Sequence, residues 1–592
     1  GAHQPVRHVG VSLRDIEGRI RSYIDQDETA KISINDIITC QEVKELLARY
    51  SYRCIYCWKE LHWHDWSLDR IDNTKSHTAE NCTLSCVHCN KERSDTIYEI
   101  FYRKKALERF AADNPSIHVI DEENKDVFYK FKENICGGLS LVFHRYHEKH
   151  KTKICRTVYE NKQWKVGEEG KTVEKVVGFD ANALYLWCLG QEMPCGKLKY
   201  IKTDDVNYIS DKDFFGFLEV DIHVPEHLYN YFSEMPPIIK NFEYSEEVCG
   251  EFTKAVAMKL RSKYSKTKKL IATLRGEKLL IKSTRLRWMT DHGCIVTKLH
   301  GVIPAIPRRC FEGFMNWVSE ERRKGDIDTK YTIIAEACKN IGNSAFGRTV
   351  MNKNSHRNVK YCNEHDFNIV KNRWTFCDAE EYDQNNEKIY EVVLKKKVIA
   401  QNMPIQIGCS VFDDSKLRMY QFYYDCIDKY IDRNDFQYIE TDTDSAYMAL
   451  TGDLENIIKP ELKEEFEKDK ANWFPRTDTA ENRAYDKRKP GLFKIEFEGE
   501  GMVALCSKSY YVWGENGDKL SCKGCQKSRN IMNKDHYIKC LNKNEFQKCI
   551  NKGFRVDNKI MKTYVQEKIA LTPLYSKGIV LSNGINIAPL DI

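Results

Sequence analysis

Two aspartates two residues apart, with apolar strand-like runs on either side, constrain this chain more than any other feature. The run is Thr441-Asp442-Thr443-Asp444-Ser445. Phe436-Gln437-Tyr438-Ile439 precedes it and Ala446-Tyr447-Met448 follows, a pattern of two strands joined by a tight turn. Carboxylates held that close repel each other unless a cation neutralises them. A hard divalent ion with oxygen ligands, Mg²⁺ above all, is the economical partner. Two such ions stabilise the attacking and leaving oxygens of a phosphoryl transfer. A lone Asp-Thr-Asp is equally compatible with a solvated turn.

Val176-Val177-Gly178-Phe179 reads as a strand ending at Asp180, a carboxylate that joins the turn if the strands share a sheet. Lys339, Asn343 and Phe346 recur at i, i+4, i+7 beside a helical stretch from Tyr331 to Gly342, so they share one face. A cation and polar groups there suit a triphosphate, and the ring suits a base. Lys508-Ser509-Tyr510 comes later. Taken in order, these four runs resemble motif A, motif B, motif C and the KxY motif of family B DNA polymerases. Further stretches are similar to the organellar and viral branch, which includes protein-primed enzymes. They are Gly137-Gly138-Leu139-Ser140 through His147, Met193-Pro194-Cys195-Gly196, Ser415 to Tyr420 as the opening of the helix before motif C, and Pro490-Gly491-Leu492-Phe493-Lys494. The resemblance covers roughly residues 135 to 550. Four ordered motifs with their flanks are far more specific than any one of them.

The resemblance implies an α+β right-hand polymerase over residues 136–592, with the palm around motifs A and C, fingers about 255–350 and thumb about 512–592. It implies template-directed addition of dNTPs to a primer 3′ end, with two Mg²⁺ at the palm and Mn²⁺ as a substitute. Asp180 and Asp442 then hold the metals, and Asp444 supports them. Tyr185 lies under the incoming sugar and excludes a 2′-hydroxyl. Lys339 contacts the triphosphate, with Arg322 or Arg323 as a second contact. Asn343 and Phe346 shape the base-pair pocket, and Lys508 and Tyr510 hold the primer terminus. Core packing is the alternative for Tyr185 and Phe346. Ala183 stands where serine is usual, and Leu186-Trp187 replaces a proline step. Those departures touch the sugar pocket rather than the metal site. The expected partners are template–primer DNA and dNTPs, with a priming protein or other replication factors besides, and no membrane.

A second signal is independent of the first. Cys54-Ile55-Tyr56-Cys57 and Cys86-Val87-His88-Cys89 are two CxxC pairs separated by 28 residues. Such pairs supply four thiolates for one structural, tetrahedral Zn²⁺; two disulfides or four buried thiols are the alternatives. Between and after them stand Asp69-Arg70, Asn81 and Asn90. The arrangement resembles a zinc-bound HNH endonuclease module with a ββα-metal core. In that family Asp69 and Asn90 match the catalytic metal positions and Asn81 the structural asparagine. Arg70 occupies the place of the general-base histidine, and a guanidinium does not deprotonate water near neutral pH. His62, His64 and His77 are the substitute bases on offer.

Composition sets bounds on the rest. Of 592 residues, 30% are charged and 42% hydrophobic, a globular balance without a membrane-spanning run. An odd count of 23 cysteines points to free thiols in a reducing, intracellular compartment; the CxxC at Cys522 and Cys525 reads as incidental. The net charge is +6, yet Lys259 to Lys330 alone carries 18 Lys/Arg against 7 Asp/Glu, a surplus of 11. That segment reads as partly helical and suited to phosphates. The domain plan is a helical segment over 1–50, with Val43, Leu46, Leu47 and Tyr50 on one stripe, then the zinc/HNH-like module over 51–96, a linking region over 97–135 and the polymerase core. The stretch from Leu571 to Ile592 reads as extended. About 135 residues precede the core, so no 3′–5′ exonuclease is expected. Alternatives to a plain polymerase are a dual enzyme that nicks DNA and extends the new end, and a silent DNA-binding scaffold.

Overall fold

The computed structural model describes residues 12–34, 36–113, 119–120, 122–262, 267–384, 387–557 and 560–592. The chain divides into two compact units, residues 1–117 and 118–592.

In the first unit, helices α1 (Leu13–Thr29) and α2 (Cys40–Arg49) each begin with a capping box, Ser12 with Asp15 and Thr39 with Glu42. These pairs satisfy amide donors that the first helical turn leaves open. Strands β1 (Trp66–Arg70) and β2 (Cys82–Cys86) form an antiparallel hairpin, and α3 (Val87–Arg93) follows directly, with α4 (Tyr98–Asp113) after it. The two strands have five residues each, too little to enclose a core alone. Ile16 and Tyr23 of α1, Val43, Leu46 and Leu47 of α2 and Phe101 of α4 therefore join Trp66, Leu68 and Leu84 in one core. This corrects the separation into a helical segment, a module and a linker. The flanking helices belong to the module, and the boundary falls at residue 117.

The second unit is organised by a five-stranded antiparallel sheet. Its strands are β3 (Ser140–Val142), β4 (Lys175–Ala181), β5 (Phe436–Asp442), β6 (Ser445–Leu450) and β7 (Phe493–Gly499), in the spatial order β7-β4-β6-β5-β3. Both faces are covered, so β5 and β6 are almost entirely buried. Helix α5 (Leu184–Leu189) leaves β4. Helices α6 (Glu312–Ile327) and α7 (Thr332–Ser344) pack on it through Leu186, Val318 and Cys338. Helix α8 (Ile405–Gln421) runs on into a wider π turn over Phe422–Ile427. There Phe422 stacks on Phe493 at 3.7 Å and meets Phe179 edge-on at 5.5 Å. Ser415 lies in the second half of α8 rather than at its opening.

The basic segment is strand and helix in similar measure, with strands Thr267–Thr273, Arg275–Lys282 and Ile295–Pro304 around the helix Ser283–Asp291 and then α6. Two of its charges are internal: Lys282 pairs with Asp414 at 2.7 Å and Arg285 with Asp413 at 3.0 Å, all four buried. Later parts of the unit include a long hairpin, Gln547–Asp557 with Ile560–Leu571. The final stretch is more than extended chain. It carries a short ladder, Ile579–Val580 with Ile587–Ala588, and the Val142 amide donates to the buried Tyr575 hydroxyl at 3.0 Å. No described helix is long and apolar enough to cross a membrane, and all 23 cysteines are free thiols.

Gly178 of β4 faces Tyr447 of β6, and a Cβ there would lie 2.4 Å from the ring. Gly178→Ala is expected to cost about 1–3 kcal/mol of stability through overpacking. A chemical-denaturation midpoint equal to that of the wild type would refute this packing.

Candidate active site and metal centre

The acidic turn is built by strand pairing. Asp442 ends β5, opposite Ser445 of β6, and Ser445 in turn lies opposite Asp180 of β4. Thr443 takes the left-handed conformation, φ 65°, and the Asp444 amide donates to the Asp442 carbonyl at 2.8 Å. The Ala181 amide donates to the Asp444 carbonyl at 2.7 Å. The turn is thereby fastened to the strand that carries Asp180, and three carboxylates gather at one end of the sheet.

Two ammonium groups meet this charge. Lys494 of β7, opposite Asp180 in register, holds it at 3.1 Å, and Lys508 holds Asp442 at 2.9 Å. Among the described residues Asp444 has no such partner. Burial, with Asp180 and then Asp442 adding to it, pushes its carboxyl up to about 7. Beneath the turn Glu440 is fully buried, and burial and Asp442 push it far above the usual carboxylate range. The Lys508 amide donates to Glu440 at 3.2 Å. Lys508 itself sits at φ 61°, a strained position whose amide and ammonium both serve the acidic cluster. The three carboxylates are oxygen donors of the kind hard divalent cations take, two of them paired with half-exposed lysines, but their oxygens are not all drawn within 4.8 Å of one another.

Beside the turn lies an aromatic pocket. Ala183, at φ 47° and ψ 50°, starts α5 from the left-handed region. The Tyr185 ring packs against Phe346 at 4.4 Å and Phe412 at 6.1 Å. At Gly138 a Cβ would lie 2.9 Å from the Tyr185 hydroxyl and 2.7 Å from Thr443. The glycine is what lets the ring approach the turn. Phe346 is buried, two residues past the end of α7 at Ser344, whereas Lys339 and Asn343 are exposed on the helix. The backbone keeps helical angles through Ala345 and Phe346, so the i, i+4, i+7 spacing carries past Ser344, with Phe346 turned into the protein and the other two toward solvent. Lys339 lies 3.9 Å from Glu336. Arg322 is buried, and burial and the nearby Arg488 lower its pKa while Asp326, Glu336 and Asp180 act against them. Arg323 turns elsewhere, stacking on Tyr485 at 3.8 Å. Tyr510 is buried, its ring 5.1 Å from that of Tyr447, whose hydroxyl accepts from Lys519 at 3.0 Å. Sequence reasoning gave no role to Lys494, Glu440 or Arg488. The signal for Lys494 was its place in the Pro490–Lys494 run, one residue into a strand pairing with β4.

In the smaller unit, Cys54, Cys57, Cys86 and Cys89 bring their sulfurs within 4.8 Å of one another. Among the described residues this is the one group of three or more ligand side chains drawn so tightly together. Cys86 caps α3 and accepts the Cys89 amide at 3.3 Å. Hydrogen bonds from Cys54 and Cys89 pull its thiol far below the usual range. Four soft donors at that spacing suit Zn²⁺.

The β1–β2–α3 order has the ββα topology, but its polar residues are engaged. Asp69 is buried, accepting from Arg93 at 2.7 Å and from the Tyr56 hydroxyl at 2.5 Å. Arg70 donates to Asp27 at 2.8 Å, and Asp27 also holds buried His77 at 2.9 Å. Asn81 ties its loop to Asp72 and Ser76, and the Asn90 amide donates to Ser67 and Leu68. His62 and His64 are exposed, their rings 6.1 Å apart.

No protein-family model and no curated protein matches the chain. Solved structures do resemble it. Phi29 DNA polymerase in an orthorhombic crystal form has a TM-score of 0.44 at 13% identity, over 79% of this chain and 67% of that one. Its ternary complex with primer-template DNA and incoming nucleotide substrates has a TM-score of 0.46 at 12% identity, over 81% and 68%. Its binary complex with primer-template DNA has 0.45 at 12%, over 80% and 66%.

Cys54→Ser is expected to lower zinc content, read by metal analysis of the purified protein, and to lower the melting temperature. A variant that keeps one equivalent of zinc would argue against Cys54 as a ligand. The raised carboxyl of Asp444 has its own consequence. The folded chain holds that proton up to about pH 7, while the unfolded chain releases it near 4. This group therefore favours folding more at pH 6 than at pH 8. Metal-free wild type should lose stability across that window more steeply than Asp444→Asn, and equal slopes in denaturant titrations would refute the assignment.

Proposed function

We propose that the larger unit is a template-directed DNA polymerase that adds dNTPs to a primer 3′ end. The observation that carries this reading is the gathering of Asp180, Asp442 and Asp444 on adjoining strands beside the Tyr185–Phe346 pocket. Asp180 and Asp442 are the residues to hold Mg²⁺ or Mn²⁺, with Asp444 aligning the pair. When bound, two such ions polarise the primer hydroxyl and the reacting phosphate.

The side chains divide the remaining work. Lys494 and Lys508 give up their carboxylates to the cations and keep positive charge close by. Lys508, next to Asp442, then faces the primer terminus. Tyr510 acts from behind, since it packs on Tyr447 rather than standing in the open. Arg322 and Lys339, on α6 and α7, face the triphosphate, where guanidinium and ammonium groups suit phosphate oxygens. Asn343 and Phe346 border the base pair. Tyr185, fixed between Phe346 and Gly138, takes the volume that a 2′-hydroxyl needs.

For the smaller unit we infer a zinc-held, HNH-like ββα module that does not cut DNA. Its metal-position carboxylate is spent on the buried Asp69–Arg93 pair, and Arg70 is spent on Asp27. The nickase–polymerase reading is thereby the weaker one. Priming by a protein or by a pre-existing 3′ end is compatible with this chemistry.

Primer extension with Mg²⁺ on a primed template should proceed with wild type and vanish with Asp442→Ala. Extension that survives this change would sink the polymerase reading. Asp69→Ala should leave Arg93 buried and unpaired, costing about 3–5 kcal/mol, with no nicking by the wild type to lose. Metal-dependent nicking abolished by Asp69→Asn, with folding intact, would reverse the inference for the module.

A further inference from the structure

The pair Cys522 and Cys525 has a setting that spacing alone does not show. Cys522 ends the strand Lys519–Cys522, and the Cys525 amide donates back to the Cys522 carbonyl at 3.3 Å. Gly524 stands between them at φ 77°, the left-handed position such a tight turn requires. The turn lies against the long hairpin. The Asn551 side chain donates to the Gly524 carbonyl at 2.8 Å and accepts the Gln526 amide at 3.0 Å, so it straddles Cys525. Gln526 in turn brackets Lys552, accepting its amide at 2.9 Å and donating to its carbonyl at 2.7 Å. Asn530 does the same for Ile550, at 2.8 and 2.9 Å. Two side-chain amides thus take the place of a neighbouring strand along the edge of Gln547–Asp557.

A third thiol faces this contact. Cys549 and Asn551 are two residues apart on one strand, so their side chains share a face. The Cys549 thiol lies 3.8 Å from the same Asn551 oxygen that holds the Gln526 amide. Cys522 points elsewhere, its thiol donating to the Ala570 carbonyl at 3.6 Å. Cys549 and Cys522 are buried and Cys525 is half-buried, so a small solute reaches Cys525 first. Burial pushes the thiols of Cys525 and Cys549 up, and the hydrogen bond between them favours the proton on Cys549. The nucleophile of the pair is then Cys525. The three sulfurs do not form a cage. Among the described residues, only Cys54, Cys57, Cys86 and Cys89 draw three or more ligand atoms within 4.8 Å of one another. That favours a thiol pair here over a second structural metal.

We propose that Cys525 and Cys549 are a dithiol that a peroxide oxidises to a disulfide, locking the turn onto the base of the hairpin. The Cys525 thiolate attacks one peroxide oxygen and breaks the O–O bond, giving a sulfenic acid and, with one proton, water. The Cys549 thiol then attacks that sulfur, and the hydroxyl leaves with the thiol proton as a second water. Two thiols lose two electrons and two protons, and one peroxide is reduced to two waters. Burial keeps the thiols largely protonated, so the pair responds to sustained oxidant and is not a catalytic centre. The bond closes a loop that runs from the turn through the helix Lys534–Lys543 to the hairpin. It makes permanent a contact that otherwise rests on side-chain amides.

The test treats full-length wild type with hydrogen peroxide, blocks the remaining thiols and maps unreduced peptides by mass spectrometry. The expected result is one cross-link joining Cys525 to Cys549, with Cys522 alkylated and the link removed by dithiothreitol. Exposed Cys377 reports that the oxidant acted. The amides of Ile550 and Lys552 report the lock, since both donate to the segment after the turn. Their hydrogen exchange should slow at least about tenfold on oxidation, because closing a loop restricts local opening. Cys525→Ser should abolish that change and Cys522→Ser should keep it. Oxidised Cys377 with Cys525 and Cys549 still free would overturn the proposal, and so would a link between Cys522 and Cys525. Unchanged exchange in the cross-linked protein would overturn the lock. A second equivalent of zinc that Cys525→Ser loses would give these thiols to a metal instead. None of these readouts uses primer extension, so failure of the polymerase reading leaves them intact.

Discussion

Mutual repulsion among Asp180, Asp442 and Asp444 is the constraint around which the larger unit is arranged. Strand pairing forces the three together, and each is relieved differently. Lys494 reaches Asp180 from the neighbouring strand. Lys508 reaches Asp442 from a turn strained enough to need explanation. Asp444 is relieved by holding its proton. An apolar core could not tolerate this cluster, and an open surface would not need lysines aimed at it. Assembling like charges carries a cost, which the proposed divalent cations would offset.

The smaller unit answers a similar problem by different means. Four thiols crowd together at a spacing that suits one Zn²⁺. The hairpin's remaining charges are cancelled internally, Asp69 by Arg93 and Arg70 by Asp27. Removing either member of a buried pair is costly, so these residues look fixed for architecture. That is the physical ground for separating the two sites: the acidic turn pairs its carboxylates with long lysines that can move away, whereas the ββα module locks Asp69 against a guanidinium bonded on several sides.

Much of this was legible in the residues. The alternation around Asp442 and Asp444 foretold two strands and a turn, and Val176–Phe179 foretold the strand bearing Asp180. The CxxC spacing foretold the thiol cluster. What stayed hidden depended on register and on distant partners. Lys494 pairs with Asp180 only because β7 joins β4. Phe346 packs on Tyr185 while Lys339 and Asn343 stay exposed, a difference in burial that spacing alone does not give. The basic segment looked like a surface for phosphates, but Lys282 and Arg285 were claimed by Asp414 and Asp413, more than 100 residues away. Nothing local to α1, α2 or α4 announced that they complete the core of the zinc-binding hairpin.

The asymmetry of the sheet then gives the site a direction. A reaction that joins a strand end to a nucleotide needs two anionic ligands to approach one acidic centre from different sides without exchanging places. The turn has a cation on each side, Lys494 on Asp180 and Lys508 on Asp442. The β4–β7 side offers a lysine already bound to Asp180 and arginines on or near α6, whose planar groups match a triphosphate. The β5–β3 side offers Lys508, a compact ammonium suited as a point charge to a backbone phosphate. Gly138 stands between, close to both Thr443 and the Tyr185 hydroxyl. The same turn that concentrates negative charge therefore also keeps its two lysine partners on separate sides.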